Sequence, residues 1–250
     1  MMKETIYTIP VNDAYNAECE CPLCMLRKKA EDNEIEYYLG PSLMEPDTRI
    51  VTNKTGFCPD HMAKLNKQVT NRLGLALVMH THLLDYDKDI TEDLAKAAPA
   101  KAGLLKGRSS DYKAACKSLA DRIDKRTATC PICEKMNNTI ERYNEVIMHM
   151  FSHDSAFREK FMNTKSHCLP HTAALLRTAA NKLSQNDAAD FITALARSNK
   201  ECFAELEHDV EWFTQKFDYR NKEASWGNSK NAIQRSMRFL SSDTGEFNEG

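Results

Sequence analysis

Eight cysteines and histidines of this chain fall into four pairs of one spacing: Cys21-Pro-Leu-Cys24, Cys58-Pro-Asp-His61, Cys130-Pro-Ile-Cys133 and Cys168-Leu-Pro-His171. Taken in order they write the same phrase twice, with three thiolates and one imidazole in each copy. The gaps inside the copies are nearly equal, 33 residues between Cys24 and Cys58 and 34 between Cys133 and Cys168, which argues against chance placement. Two donors three residues apart converge on one ion, and a proline after the first cysteine presets φ for a tight knuckle. The Cys-x-x-His pairs belong where helices begin, with both donors on one side of the first turn and the helix N-terminus favouring thiolate. Thiolate-rich tetrahedral sets select zinc or iron–sulfur. A closed Cys3His set is the pattern of a structural zinc site, so two zinc ions per chain are expected, one in each copy. An iron–sulfur cluster is the less favoured alternative. A thioredoxin-like Cys-x-x-Cys would ride on a βαβ pattern that is absent.

Other residue groups carry weaker chemistry. Cys19 stands two residues before Cys21, outside the repeated frame, and reads as a spare thiol. Cys116 and Cys202 lie on helical faces and read as small buried hydrophobes. His167 precedes Cys168 and reads as a neighbour of the site or a surface residue. His149 and His153 are one helical turn apart without a third ligand. Glu205-Leu-Glu-His208 has the spacing of a di-iron motif, but in one copy only. The charged run from Arg27 to Glu34 reads as a solvated helix face.

The elements that must position the ligands are helices. Only 8 glycines and 8 prolines interrupt 250 residues, and apolar residues recur at 3.6-residue spacing over long stretches, which predicts an all-α protein. After His61 the stripe Met62, Leu65, Val69, Leu73, Ala76 and Leu83 predicts one long amphipathic helix. After His171 the stripe is Leu175, Leu176, Ala179 and Leu183. From Asp187 onward Phe191, Leu195, Cys202, Leu206, Phe213 and Phe217 predict the longest helix, its aromatic stripe a core face, followed by a final helix near residues 231–241. The organisation expected is a duplicated helical repeat with a C-terminal helical extension: residues 1–96, a linker over 97–110, residues 111–186, and the extension over 187–250. Between the last helices, Arg220, Asn221, Trp226 and Asn228 are candidates for a groove that meets a partner or ligand.

Composition excludes several classes. With 34 basic against 36 acidic residues the net charge is −2, so no electrostatic excess marks a phosphate-backbone partner, and nucleic acid is disfavoured. No stretch reaches the roughly 20 apolar residues that span a bilayer, and Met1 to Asn16 lacks an apolar signal core. The expected compartment is the cytoplasm, where nine cysteines remain reduced.

These residues together resemble an uncharacterised bacterial family of unknown function. The resemblance runs through Cys21-Pro-Leu-Cys24, Gly56-Phe57-Cys58, Cys130-Pro-Ile-Cys133, Cys168-Leu-Pro-His171, Phe217 to Asn221 and Trp226 to Ser229, covering nearly the whole chain. It implies no activity. The function expected is therefore a zinc-stabilised helical scaffold or interaction protein for an unknown protein or small ligand, more in keeping with a non-enzyme. A metal-dependent or iron–sulfur redox enzyme is the alternative, and a nucleic-acid-binding module the third reading.

Overall fold

The structure, a computed structural model, describes residues 6–68, 71–99 and 111–242. Among the described residues there are eleven α-helices, three short 3-10 turns and no strand. The helices are α1 (Thr8–Asn16), α2 (Pro22–Leu39), α3 (Pro46–Thr55), α4 (Pro59–Lys67), α5 (Arg72–Ala97), α6 (Asp111–Thr127), α7 (Pro131–His153), α8 (Ser155–Met162), α9 (Leu169–Lys182), α10 (Gln185–Gln215) and α11 (Ala232–Ser241).

The chain divides into two compact units, one made of Met1–Ala30 with Asn138–Gly250, the other of Glu31–Asn137. Helices α2 and α7 each cross the boundary between them. In the first unit a set of aromatic rings forms the centre: Phe191 stacks on Phe161 at 4.3 Å and meets Phe151 edge-on at 5.0 Å. Around them Leu23, Leu26, Ile147, Met148 and Leu175 are fully or almost fully buried. Removing one such ring would cost about 3–5 kcal/mol through lost burial and the cavity left behind. The smaller core of the second unit gathers Ile35, Tyr38, Leu39, Phe57, Leu65, Val78 and Ile132.

The predicted longest helix is α10, with 31 residues. Its start is fixed by Ser184, whose hydroxyl accepts from the Asp187 backbone N–H at 3.2 Å, a standard N-cap. Phe191, Leu195 and Leu206 are buried as a core face, whereas Phe217, beyond its end, is exposed. The final helix forms as α11.

Two expectations need correction. The stripe from Met62 to Leu83 is divided between α4 and α5 instead of forming one helix. Asn71 caps the second of them, its side chain accepting from the Gly74 N–H at 2.8 Å. The buried face of α5 is Gly74, Val78 and His82, while Leu73 and Leu83 are exposed, and Val69 lies outside the described residues. Cys116 is exposed rather than buried. Residues 100–110 of the proposed linker lie outside the described residues, with Ala97 still part of α5.

Candidate metal centres

All four ligand pairs are built alike. Pro22, Pro59 and Pro131 open α2, α4 and α7, and Pro170 is the second residue of α9, positions where a missing N–H costs nothing because no intrahelical acceptor exists there. The first cysteine of each pair stands directly before its helix, and its partner comes three residues later, in the first turn. The backbone records this helix entry four times: Met25 N donates to Cys21 O, Met62 N to Cys58 O, Glu134 N to Cys130 O and Thr172 N to Cys168 O, at 2.8–3.4 Å. The Cys-Pro-x-Cys pairs are thus helix starts as much as the Cys-x-x-His pairs are. Both donors of each pair therefore sit at a helix N-terminus, where the positive end of the dipole favours thiolate over thiol.

The helix starts meet in twos. Cys21, Cys24, Cys168 and His171 form one cluster and Cys58, His61, Cys130 and Cys133 the other, the four donor atoms of each lying within 4.8 Å of one another. The first lies in the first unit and the second in the second unit. All eight predicted ligands are therefore brought together, but their pairing is exchanged. Each Cys-Pro-x-Cys joins the Cys-x-x-His of the other copy, not the one that follows it in sequence. An unbroken helix of 18 residues follows the first knuckle, about 27 Å of rise, so the next motif along the chain is not the next in space.

In the first cluster Cys168 Sγ lies 3.9 Å from Cys21 Sγ and 3.6 Å from Cys24 Sγ. His171 Nδ1 is 3.5, 3.4 and 3.0 Å from the sulfurs of Cys21, Cys24 and Cys168. In the second, Cys58 Sγ and Cys133 Sγ are 3.6 Å apart, and His61 Nδ1 is 3.2, 3.4 and 3.2 Å from Cys58, Cys130 and Cys133. A zinc–sulfur bond of about 2.3 Å places sulfurs at tetrahedral corners about 3.8 Å apart. The donors therefore fit a single small ion held by Nδ1 and three thiolates, and all nine cysteines are free of disulfides.

Side-chain bonds tie the two loops of each cluster together. Ser166 Oγ donates to Glu20 O at 2.6 Å, joining the approaches to Cys168 and Cys21. Thr129 Oγ1 donates to Thr55 O at 2.7 Å, joining the approaches to Cys130 and Cys58. The surroundings differ otherwise. His61 Nε2 meets Glu31 Oε1 at 3.1 Å, and Lys64 Nζ lies 2.7 Å from both Glu31 oxygens, a carboxylate–imidazole pair of the kind that fixes the tautomer and orientation of a ligating histidine. Burial acts to raise the pKa of Glu31, but hydrogen bonds from His61 and Lys64 outweigh it and bring the group down to about 2. At the first cluster the corresponding contact is on sulfur, with Ser242 Oγ 3.5 Å from Cys24 Sγ.

Glu31 belongs to the charged run expected to be a solvated face, and its role carried no signal beyond a carboxylate on a ligand-bearing helix. His167 is 1% exposed, its Nε2 3.0 Å from Tyr15 Oη, and burial first, with His171 nearby second, lowers its pKa to about 3. It is a neutral core residue behind the first cluster, not a surface one. Cys19 Sγ instead contacts Ala14 O at 3.7 Å and joins neither cluster. His149 and His153 stack at 4.4 Å and belong to no cluster of three or more donors among the described residues.

The four groove candidates do not converge on one point. Arg220 is exposed and pairs with Asp218 at 2.5 Å. Asn221 and Trp226 surround Lys216, whose buried ammonium donates to the carbonyls of Asn221, Lys222 and Ala224 at 2.6, 2.9 and 2.6 Å and lies 5.2 Å from the Trp226 ring centre. Asn228 turns the other way, its carbonyl accepting from Arg235 at 3.3 Å.

The sequence matches the model of a family of unknown function, DUF6062, over residues 2–247. The chain belongs to this family. No curated protein and no solved structure matches it. Membership in DUF6062 covers both clusters and the C-terminal helices and names no activity, so function has to be argued from the donor geometry.

Proposed function

We propose that this chain is a zinc-stabilised helical scaffold that holds a protein or small-molecule partner, and not an enzyme acting through its metals. The observation that carries this reading is the donor count of both sets: three sulfurs and one imidazole nitrogen, within 4.8 Å of one another, are the four ligands that a tetrahedral ion takes. Catalytic zinc keeps a position for water or substrate, whereas structural zinc is fully ligated by protein and supplies folding free energy. Separations of 3.6–3.9 Å between sulfurs favour one ion per site over a polynuclear iron–sulfur cluster, whose ligands must span several irons. No helix among the described residues is long and apolar enough to cross a membrane. Six ligating thiolates agree with a reducing compartment, and we place the protein in the cytoplasm.

Elemental analysis of anaerobically purified protein tests the reading. Two equivalents of zinc per chain and a colourless solution are expected, with loss of helical circular dichroism on chelation. Iron with sulfide, or zinc that leaves without any change in helicity, would overturn it.

A further inference from the structure

Five of the nine cysteines line one cavity of about 930 Å³ in the first unit: Cys21, Cys24 and Cys168 of the first cluster, with Cys19 and Cys202, which belong to neither cluster. We propose that this cavity makes the first metal centre an oxidation site, at which a hydroperoxide converts Cys24 and Cys19 to a disulfide and the metal is released. The proposal rests on the zinc reading above and deepens it, because it assigns a regulation to one of the two centres.

Access selects the sulfur. Ala17, Glu18, Met25 and Lys28 line the cavity and are exposed, so it is open to small solutes on that side. Of the three cluster cysteines on its wall, Cys21 and Cys168 are only 6% and 2% exposed, whereas Cys24 is half-buried. Among ligating thiolates of one site, exposure decides which one a peroxide meets first.

A second thiol has to stand within reach. Cys19 lies two residues before Cys21, at most about 7 Å of chain. The helix entry brings Cys24 back over Cys21, since Cys24 N and Met25 N both donate to Cys21 O, at 3.1 and 3.4 Å. Burial first, and the Cys24 sulfur second, raise the Cys19 thiol, so the two sulfurs lie in each other's field. A disulfide takes a Cα separation of about 4.4–6.8 Å, within the span of so short a segment. The Cys202 thiol, raised above all by burial, has Ser166, Glu205 and Glu20 around it instead. The other ligands are poorer partners than Cys19. Once Cys24 is oxidised, Cys21, Cys168 and His171 still engage the ion, and three protein ligands suffice to retain zinc for a time, whereas the Cys19 sulfur is free.

The two steps balance. The Cys24 thiolate attacks one oxygen of the hydroperoxide. An S–O bond forms and the O–O bond breaks, sulfur gives up two electrons, and the other oxygen takes a proton from solvent and leaves as alcohol or water. The Cys19 thiol then attacks the sulfenic sulfur of Cys24. The S–S bond forms, the S–O bond breaks, and the hydroxyl leaves with the thiol proton as water. With one of its four donors lost for good, the site holds its metal less tightly.

The second centre has no such thiol beside it. The spare cysteine of its unit is Cys116, eleven residues before the end of α6 at Thr127, about 17 Å of rise, and the ligand Cys130 comes only after that end.

The test is zinc release from the metal-loaded full chain under hydrogen peroxide, followed with a chromophoric chelator, with the disulfides mapped by tandem mass spectrometry. One equivalent should leave at least tenfold faster than the other, in step with a Cys19–Cys24 bridge. Cys19→Ser should slow that release at least tenfold, with zinc content and helicity before oxidation unchanged. Cys202→Ser should release like the unmodified chain. Equal rates for both equivalents, a first bridge between Cys21 and Cys24 or to Cys202, or undiminished release in Cys19→Ser would overturn the proposal. The mapping of the unmodified chain decides even if Cys19→Ser fails to fold. Two zinc equivalents that peroxide removes without a Cys19 bridge would overturn the proposal and leave the scaffold reading standing. A Cys19–Cys24 bridge formed in protein that carries no zinc would support the thiol pairing and overturn the structural-zinc reading.

Discussion

At the scale of single residues, the two clusters share a ligand set but differ in what holds the imidazole. Glu31 accepts from His61 Nε2 and is itself fixed by Lys64, whereas at the first cluster the Ser242 hydroxyl meets the Cys24 sulfur and not the imidazole. A carboxylate behind a ligating histidine contributes roughly 10–100-fold to metal affinity. Glu31→Gln should therefore weaken the second site by about that factor and leave the first unchanged, as read by competition with a chromophoric chelator that resolves two zinc equivalents. A uniform loss at both sites would contradict the assignment. The sign of its pH dependence follows from a pKa of about 2 in the folded chain against about 4.3 unfolded. The stability that Glu31 contributes is present in full above the unfolded value and is lost as pH falls through the folded one. Protonation of thiolates, not of Glu31, should thus govern metal loss on mild acidification. Glu31 was illegible in the sequence because the charges from Arg27 to Glu34 have the composition of a solvated face. The eight ligands were legible because cysteine and histidine at a fixed three-residue spacing have few other uses.

At the scale of elements, helix starts do most of the positioning. Gly56 ends α3 at φ 66°, ψ −155°, a conformation essentially confined to glycine, and turns the chain into Phe57 and Cys58. A Cβ there would lie 2.7 Å from His82 Nε2, and His82 is held in place by Nδ1 against Asn53 O at 2.7 Å. Gly56→Ala should destabilise the second unit by about 1–3 kcal/mol and loosen its metal, which thermal unfolding and zinc retention would show. An unchanged melting temperature would mean that the turn has an alternative. In the first unit, Arg235 of α11 is buried against Asp209 of α10 at 2.7 Å. Arg235→Ala takes the guanidinium from that buried carboxylate and should cost about 3–5 kcal/mol, which denaturant unfolding would show. Helix lengths and the core stripe of α10 could be read from periodicity, because burial imposes it. The break between α4 and α5 could not, since apolar residues continue at helical spacing through it and only the Asn71 cap marks the new start.

At the scale of the whole molecule, the sequence announces how many metal sites there are but not which motifs share them. Equal gaps in the two copies suggest that each copy closes on itself, yet partnership between helix starts is a tertiary fact that spacing along the chain does not encode. The structure pairs Cys21 and Cys24 with Cys168 and His171, and Cys58 and His61 with Cys130 and Cys133. The zinc-scaffold proposal then ties folding to metal in both units, because each donor cluster joins segments distant in sequence. The most direct measurement is the zinc content of two double variants purified side by side. Cys21→Ser with Cys168→Ser damages one site twice and should leave one equivalent, whereas Cys21→Ser with Cys58→Ser damages both sites and should leave none. The reverse result, one equivalent in the second variant and none in the first, would show that each copy closes on itself and would contradict the exchanged pairing.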